Sequence, residues 1–327
     1  MASPINHAEF SAIMSIAFVF PGQGSQAVGM GASLATTYPA AQAVFAEVDE
    51  ALSQNLSKLM WEGPETELVL TENAQPALMA VSLAAMRVLA EEKGIKLRDK
   101  VAYVAGHSLG EYSALAAAES LSVADTARLL KIRGKAMQEA VPVGEGAMAA
   151  LLGADLDQAK ALAAVAAEGQ VCEAANDNAP GQVVISGARA AIERAVKLGP
   201  QFGARRAVLL PVSAPFHCAL MKPAADAMRD ALNKVEINEP AVPLVANVLA
   251  LAISSSVEIR NRLIEQVTGM VRWRESMMYL QAQGVTNVYE VGAGKVLSGI
   301  ARRFDGLQAA NVGTPEELEA ASTALAG

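Results

Sequence analysis

Cysteine is nearly absent: Cys172 and Cys218 are the two in 327 residues, and no C-x-x-C spacing joins them. That argues against a disulfide framework or a zinc site and fits a reducing cytoplasm. Histidine is almost as scarce, with three in the chain, so chemistry that needs an imidazole has few residues to draw on. Basic charge is in deficit. The chain carries −8 and has no basic, aromatic-interleaved stripe, which speaks against a protein that tracks a nucleic-acid backbone. Long hydrophobic runs are missing too. AIMSIAFVF lacks a basic flank and runs into Pro21, while PLVANVLALAIS carries Asn247 and falls well short of the about 18 residues a span requires. Neither is a membrane segment. What remains is an ordinary globular composition, 52% hydrophobic and 18% charged, long enough for one big domain or a domain plus a subdomain. Residues 1–14 read as an extension ahead of the first strand, with Met14 an alternative start, and take no role.

From Ile16 onward, short β-branched runs alternate with alanine-rich helical periods, the pattern of an α/β protein with a mostly parallel sheet covered by helices. Strands are predicted at Ile16 to Phe20, Val101 to Ala105, Leu244 to Ala246, Val285 to Glu290 and Gln308 to Val312. Helical spacing covers NAQPALMAVSLAAMRVLAEEKG as far as Gly94, and LSVADTARLLKIRGKAMQEAV from a cap at Ser122. Between Gly146 and Pro211 the order changes to strand AMAALLG, helix DLDQAKALAAVAAEG, strand QVCEAAN, turn DNAPG, strand QVVISG, helix ARAAIERAVKLG and strand RRAVLLP. That β-α-β-β-α-β order is the ferredoxin-like unit, bracketed here by the linker-rich VPVGEG and PVSAPF. The expected organisation is a main sheet shared by residues 15–140 and 212–327, with 141–211 inserted as a subdomain. No internal repeat or low-complexity segment interrupts it.

VAYVAGHSLGEYSALAAAESL carries the strongest chemical signal: Gly106-His107-Ser108-Leu109-Gly110 satisfies G-x-S-x-G, with an apolar strand before it and a helix former after it. A serine on such a turn holds its hydroxyl at the carboxyl end of the sheet. The helix that follows aims its N-terminus at the reacting atom, and the Leu109 N–H can donate to a developing oxyanion. The bland alternative is a glycine turn that happens to contain serine. A serine also needs a base. His7 sits in the extension, and His107, next to Ser108 on a sharp turn, should point away from it. His217, in SAPFHCALMKPAAD, remains; its competing reading is a helix-capping or packed histidine.

Other motifs fail. Cys218 beside His217 lacks a cysteine-protease context, and both cysteines read as buried, inert thiols. EVGAGKVLSG has Tyr289 and Val296 where a P-loop needs glycine and serine or threonine. FPGQGSQAVGM fits the loose dinucleotide pattern through Gly22, Gly24 and Ala27, but Glu47 and Asp49 lie in a helical pattern instead of at a strand end. If Ser108 is a nucleophile, this loop is better placed to supply the second oxyanion donor, from the Gln23 N–H, with Gly22 and Gly24 allowing close approach.

FVFPGQGSQ, NAQPAL, GHSLGEYSAL, KIRGKAMQEAVPVGEGAMAALLG, NAPGQVVISG, VSAPFHCALMKPA and YEVGAGKVLSG, in order and at ordinary spacing, resemble the malonyl-CoA:acyl carrier protein transacylases of bacterial type II fatty acid synthesis. The resemblance runs from about residue 15 nearly to the end. It implies a hydrolase-like α/β core with an inserted ferredoxin-like subdomain, and two-stage transfer of malonyl from malonyl-CoA to the phosphopantetheine thiol of acyl carrier protein. Ser108 would be the nucleophile and His217 the base, with the Gln23 and Leu109 N–H groups as oxyanion donors. A backbone carbonyl orients the histidine in this family and here should belong to Gln266. Arg133 occupies the position that grips the malonyl carboxylate, a task suited to a planar, permanently charged donor; unplaced, such an arginine would sit on a solvated helix face. Gln75, His107, Phe216 and Asn176 would join it in binding substrate. No metal or redox cofactor is implied, and the protein would be a cytoplasmic monomer in fatty acid biosynthesis.

This sequence departs from the family pattern at three places. Phe216 stands where many members have serine, narrowing the pocket against methyl-branched acyl groups. VGAGK replaces a G-P-G version and TGMVRW a proline-containing one near Gln266, and neither change touches the nucleophile or the base. Two other functions stay open at this level: a serine thioesterase or esterase, which shares nucleophile and base, and a silent protein that only docks carrier protein. Because the carrier is acidic in this pathway, encounter needs a local basic patch, for which Arg205 with Arg206, Arg302 with Arg303, Lys197 and Lys222 are candidates.

Overall fold

The computed structural model describes residues 15–326, so the extension and its His7 lie outside the described residues. Ten strands occur among them: β1 (Ile16–Phe20), β2 (Tyr103–Gly106), β3 (Gly146–Leu152), β4 (Cys172–Ala179), β5 (Gln182–Ala188), β6 (Arg206–Leu209), β7 (Leu244–Ala246), β8 (Leu251–Ile253), β9 (Asn287–Val291) and β10 (Gln308–Val312). The alternation in β1 sets the layering. Phe18 and Phe20 enter one hydrophobic cluster, while Ala17 and Val19 enter another on the opposite face. Burial on both faces is what a parallel sheet covered by helices demands.

The main sheet has the order β10-β9-β1-β2-β7-β8 and is parallel except for the β7–β8 hairpin. The register sets Phe20 opposite Gly106, so the loops leaving β1 and β2 emerge side by side at the carboxyl edge. Both loops line one cavity, through Gln23 and Ser108. Helices Thr71–Glu91 and Val123–Glu139 cover one face, burying Leu78, Val81, Leu129 and Leu130. Helices Trp273–Ala282 and Val296–Ala301 cover the other through Trp273, Met277, Leu297 and Ile300. Ser122 caps Val123–Glu139 by accepting the Asp125 N–H at 3.0 Å.

The second sheet, β4-β5-β3-β6, is antiparallel throughout and carries helices Leu156–Ala167 and Arg189–Leu198 on one side. This is the ferredoxin-like order. Ala149, Leu151 and Ile185 form a separate core with those helices, whereas Met148, Ala175 and Val184 on the other face join the main cluster. The small sheet therefore turns an apolar surface to the main hydrophobic cluster.

Three local readings needed correction. The strands expected to begin at Val101 and Val285 begin two residues later, because the N–H groups of Val101 and Val285 finish the preceding helices by donating to Leu97 and Leu280. The expected turn DNAPG is strand as far as Ala179, with register shifts between Ala174 and Asn176 and between Asp177 and Ala179. Bulges of this kind re-aim side chains, and these polar ones find partners: Asp177 pairs with Arg274 at 2.9 Å, and the Asp177 N–H donates to Val271 O. Short polar residues suggest a turn until such partners are known. Among the described residues no helix is long and apolar enough to cross a membrane.

The turn after β2 leaves no room for a side chain at Gly106, where an added Cβ would sit 1.9 Å from the carbonyl of Gly110. Gly106→Ala should therefore lower stability by about 3 kcal/mol or more, since backbone and not a flexible side chain must move. Denaturant unfolding of the two proteins measures this.

Candidate active site

Ser108 stands between β2 and helix Gly110–Ala117 with φ 54°, in the left-handed region that a side chain rarely adopts. Its surroundings hold it there. Asn247, immediately after β7, accepts the Ser108 N–H on Oδ1 at 2.8 Å and donates Nδ2 to the Gly106 carbonyl at 2.7 Å. The Ser108 carbonyl accepts from Gln266 Nε2 at 2.8 Å. Because β7 adjoins β2, Asn247 arrives beside the bend by strand pairing alone.

His217, in the loop after β6, also has left-handed backbone, φ 57°, and is 3% exposed. Its Nε2 lies 2.8 Å from Ser108 Oγ. Its Nδ1 faces two carbonyls, Gln266 O at 2.9 Å and Gly269 O at 3.1 Å. Carbonyls only accept, so Nδ1 carries the hydrogen and Nε2 presents its lone pair to the serine hydroxyl. Burial, reinforced by the charge of Arg133, lowers the His217 pKa from 6.5 to about 3, and the Gln266 carbonyl only partly offsets this. The imidazole is neutral and able to take a proton.

Arg133, on helix Val123–Glu139, is 1% exposed and points inward, not along a solvated face. Nη1 donates to Gln75 Oε1 at 2.8 Å, and Nη2 donates to Gln266 Oε1 at 2.7 Å and to Ser108 Oγ at 3.1 Å. All three partners are formally neutral, and Nε has no acceptor among the described residues. Desolvation works against the charge, yet a guanidinium stays protonated in proteins. The result is a buried cation one hydrogen bond from the Ser108 hydroxyl.

A cavity of about 410 Å³ joins these groups and is also lined by Gln23, Gly24, Leu109, Met148, Asn176 and Phe216. The two glycines of the first loop act differently from one another. A Cβ at Gly22 would meet the His107 carbonyl at 2.7 Å, whereas Gly24 has open space but a φ of 108°. His107 lines the cavity too, but its ring nitrogen Nε2 lies 2.9 Å from Asn178 Oδ1 and its ring packs 5.5 Å from Trp273. Cys172 and Cys218 are buried, and desolvation raises both thiols to about 11, so neither is a nucleophile.

Residues 17–292 match the acyl transferase domain family. The malonyl CoA-acyl carrier protein transacylase of Escherichia coli K12 is 48% identical over 306 residues, which is 93% of this chain and 98% of that one. The chain belongs to the malonyl-CoA:acyl carrier protein transacylase family. The crystal structure of an acyl-carrier-protein S-malonyltransferase from Bartonella henselae superposes with a TM-score of 0.93 at 55% identity, covering 96% of this chain and all of that one. A malonyl-transacylase solved in complex with its type II PKS acyl-carrier protein superposes at 0.91 with 44% identity, covering 95% and 99%.

Seen within this transacylase family, three residues of the site carry no signal in the local sequence. Asn247 lies in an apolar run. Glu111 reads as an ordinary helix residue, and the Gln266 side chain, as distinct from its carbonyl, has no motif around it. All three are at most 1% exposed and hydrogen-bonded around Ser108. A fully buried carboxamide or carboxylate in an α/β core is the signal, and it exists only once burial is known.

Two outcomes follow from this geometry. Asn247→Ala strands the Ser108 N–H and the Gly106 carbonyl together, so stability should fall by about 2 to 4 kcal/mol and serine acylation should slow; denaturant unfolding and acylation rates report both. The pH response has a definite sign. With a folded pKa far below 6.5, His217 stays neutral as pH falls, so acylation of Ser108 should remain near its neutral-pH rate down to about pH 5. An acid limb centred between pH 6 and 7 would contradict the buried, neutral imidazole.

Proposed function

We propose that this chain transfers a malonyl group from malonyl-CoA to the phosphopantetheine thiol of acyl carrier protein, through a malonyl ester on Ser108, and so supplies fatty acid biosynthesis. One observation carries the reading: Ser108 Oγ is held at once by a neutral imidazole at 2.8 Å and by a buried guanidinium at 3.1 Å. The first is what a nucleophile needs. The second is what an acyl group with a free carboxylate needs, and a neutral acyl group would leave that cation unpaired.

In the first stage Ser108 Oγ attacks the thioester carbonyl while His217 Nε2 takes the hydroxyl proton. Charge moves onto the carbonyl oxygen, where the N–H groups of Leu109 and Gln23 are the donors we assign. The C–S bond breaks, His217 returns its proton to the leaving thiolate, and CoA departs. In the second stage the carrier thiol gives its proton to His217 and attacks the ester, and Ser108 leaves with that proton. Gln266 and Gly269 carbonyls hold the imidazole in the required tautomer throughout, so no aspartate is required. These steps use no metal and no redox cofactor.

Arg133 pairs with the malonyl carboxylate, supported on its far side by Gln75 and Gln266, and Phe216 and Asn176 bound the acyl group. Two exposed arginines at the start of the last subdomain strand, Arg205 and Arg206, remain candidates for the acidic carrier, while Arg303 already donates to Gln182 and the Pro180 carbonyl. A hydrolytic role is not favoured, since relatives covering nearly the whole chain are transacylases.

Intact-mass measurement after mixing with malonyl-CoA tests the reading. A malonyl adduct should form, vanish in Ser108→Ala, and discharge to carrier thiol faster than to water. Rapid release of free malonate would point to a hydrolase. Arg133→Ala should lower kcat/KM for malonyl-CoA by at least about a hundredfold, the equivalent of about 3 kcal/mol, while loading from acetyl-CoA persists or rises.

A further inference from the structure

Glu111 follows the bend by three residues, is 1% exposed, and takes no part in the transfer steps. Its carboxylate accepts from Gln266 Nε2 at 2.7 Å and from the Asn247 N–H at 3.4 Å. The same Gln266 nitrogen donates to the Ser108 carbonyl, and Gln266 Oε1 accepts from Arg133. A primary amide has two hydrogens on one side and an oxygen on the other. Gln266 therefore has one orientation, oxygen toward the cation and hydrogens toward the acid. Arg133, Gln266 and Glu111 form a chain of fixed polarity, with its cationic end in the cavity and its acidic end in the core.

We propose that Glu111 is a positioning and charge-balancing residue: it fixes the Gln266 amide beneath Arg133 and takes up a proton from solvent when a substrate carboxylate docks on that arginine. This rests on the proposed role of Arg133. Where Glu111 is ionised, the free site holds one cation and one anion, and a malonyl carboxylate adds a second negative charge among buried side chains. Protonating Glu111 restores neutrality, and its carbonyl oxygen can still accept from Gln266. The other titratable groups around it cannot compensate. Tyr112, on the same helix, has its phenol pushed further up by burial, and burial keeps His217 and His107 neutral. Only Arg133, from the facing helix, attracts the acid. Desolvation raises Glu111 to about 8 despite the Gln266 hydrogen bond, so it changes charge within an accessible range.

The sign follows. Above about pH 8 an ionised Glu111 already claims the field of Arg133 and opposes the malonyl carboxylate; below it, Arg133 is unopposed. A neutral acetyl group does not feel the difference, and the titrations of CoA itself cancel in the ratio of the two substrates. Rapid-quench acylation of Ser108 by malonyl-CoA and acetyl-CoA between pH 6 and 9.5 is the experiment. The malonyl-to-acetyl ratio of kcat/KM should fall about tenfold from pH 7 to pH 9, as the protonated fraction of an acid near 8 does, and should be flat in Glu111→Gln. A constant ratio in the wild type, or the wild-type slope retained in Glu111→Gln, overturns the proposal. If that variant does not fold, calorimetry of Ser108→Ala with malonyl-CoA at pH 8.5, in two buffers of different ionisation enthalpy, decides: uptake of about half a proton or more supports it, and none overturns it. Failure of the Arg133 assignment is distinct, because it shows as an Arg133→Ala enzyme that still prefers malonyl-CoA.

Discussion

A serine backbone in left-handed conformation is the constraint around which this site is assembled. The bend at Ser108 exists because β2 must hand over to a helix within a few residues, and two amides hold it open: Asn247 takes its N–H and Gln266 donates to its carbonyl. A strained residue persists where its surroundings over-determine it. Here they also aim Ser108 Oγ at His217 Nε2, so the bonds that maintain the bend also set the contact between hydroxyl and imidazole.

The second organising feature is electrostatic. The cavity holds a buried guanidinium whose hydrogen-bond partners are two carboxamides and a hydroxyl. A direct carboxylate partner would satisfy the cation internally and leave little for a substrate. Carboxamides satisfy its geometry without cancelling its charge, while Glu111 sits one amide further away. The same positive field, together with desolvation, keeps the imidazole neutral. An uncancelled positive charge in the cavity and a neutral imidazole are thus two consequences of one placement.

The small antiparallel sheet completes the arrangement. Its apolar face brings Met148 and Asn176 to the cavity, and its bulged strand β4 grips the loop after helix Ser256–Gln266 through Asp177 and Val271. That loop carries the Gly269 carbonyl on His217. The docking of β4 on that loop therefore reaches the tautomer of the histidine through a few hydrogen bonds.

By itself the sequence determined five of the six strands of the main sheet, missing the short edge strand β8, together with the β-α-β-β-α-β segment and a serine on a strand-to-helix bend, because hydrophobic period, caps and glycine turns act over a few neighbouring residues. It also narrowed the histidines to one, since only three exist. Tertiary structure alone decided what surrounds them. Asn247 is 139 residues from Ser108 and Gln266 is 158, and an amide in an apolar run or at a helix end has nothing beside it that names its partner. Asp177 and Asn178 read as the start of a turn for the same reason: their partners Arg274, Val271 and His107 come from elsewhere in the chain. Local propensity is written in adjacent residues, whereas buried hydrogen bonds and electrostatic fields depend on which distant segments the sheet order brings together.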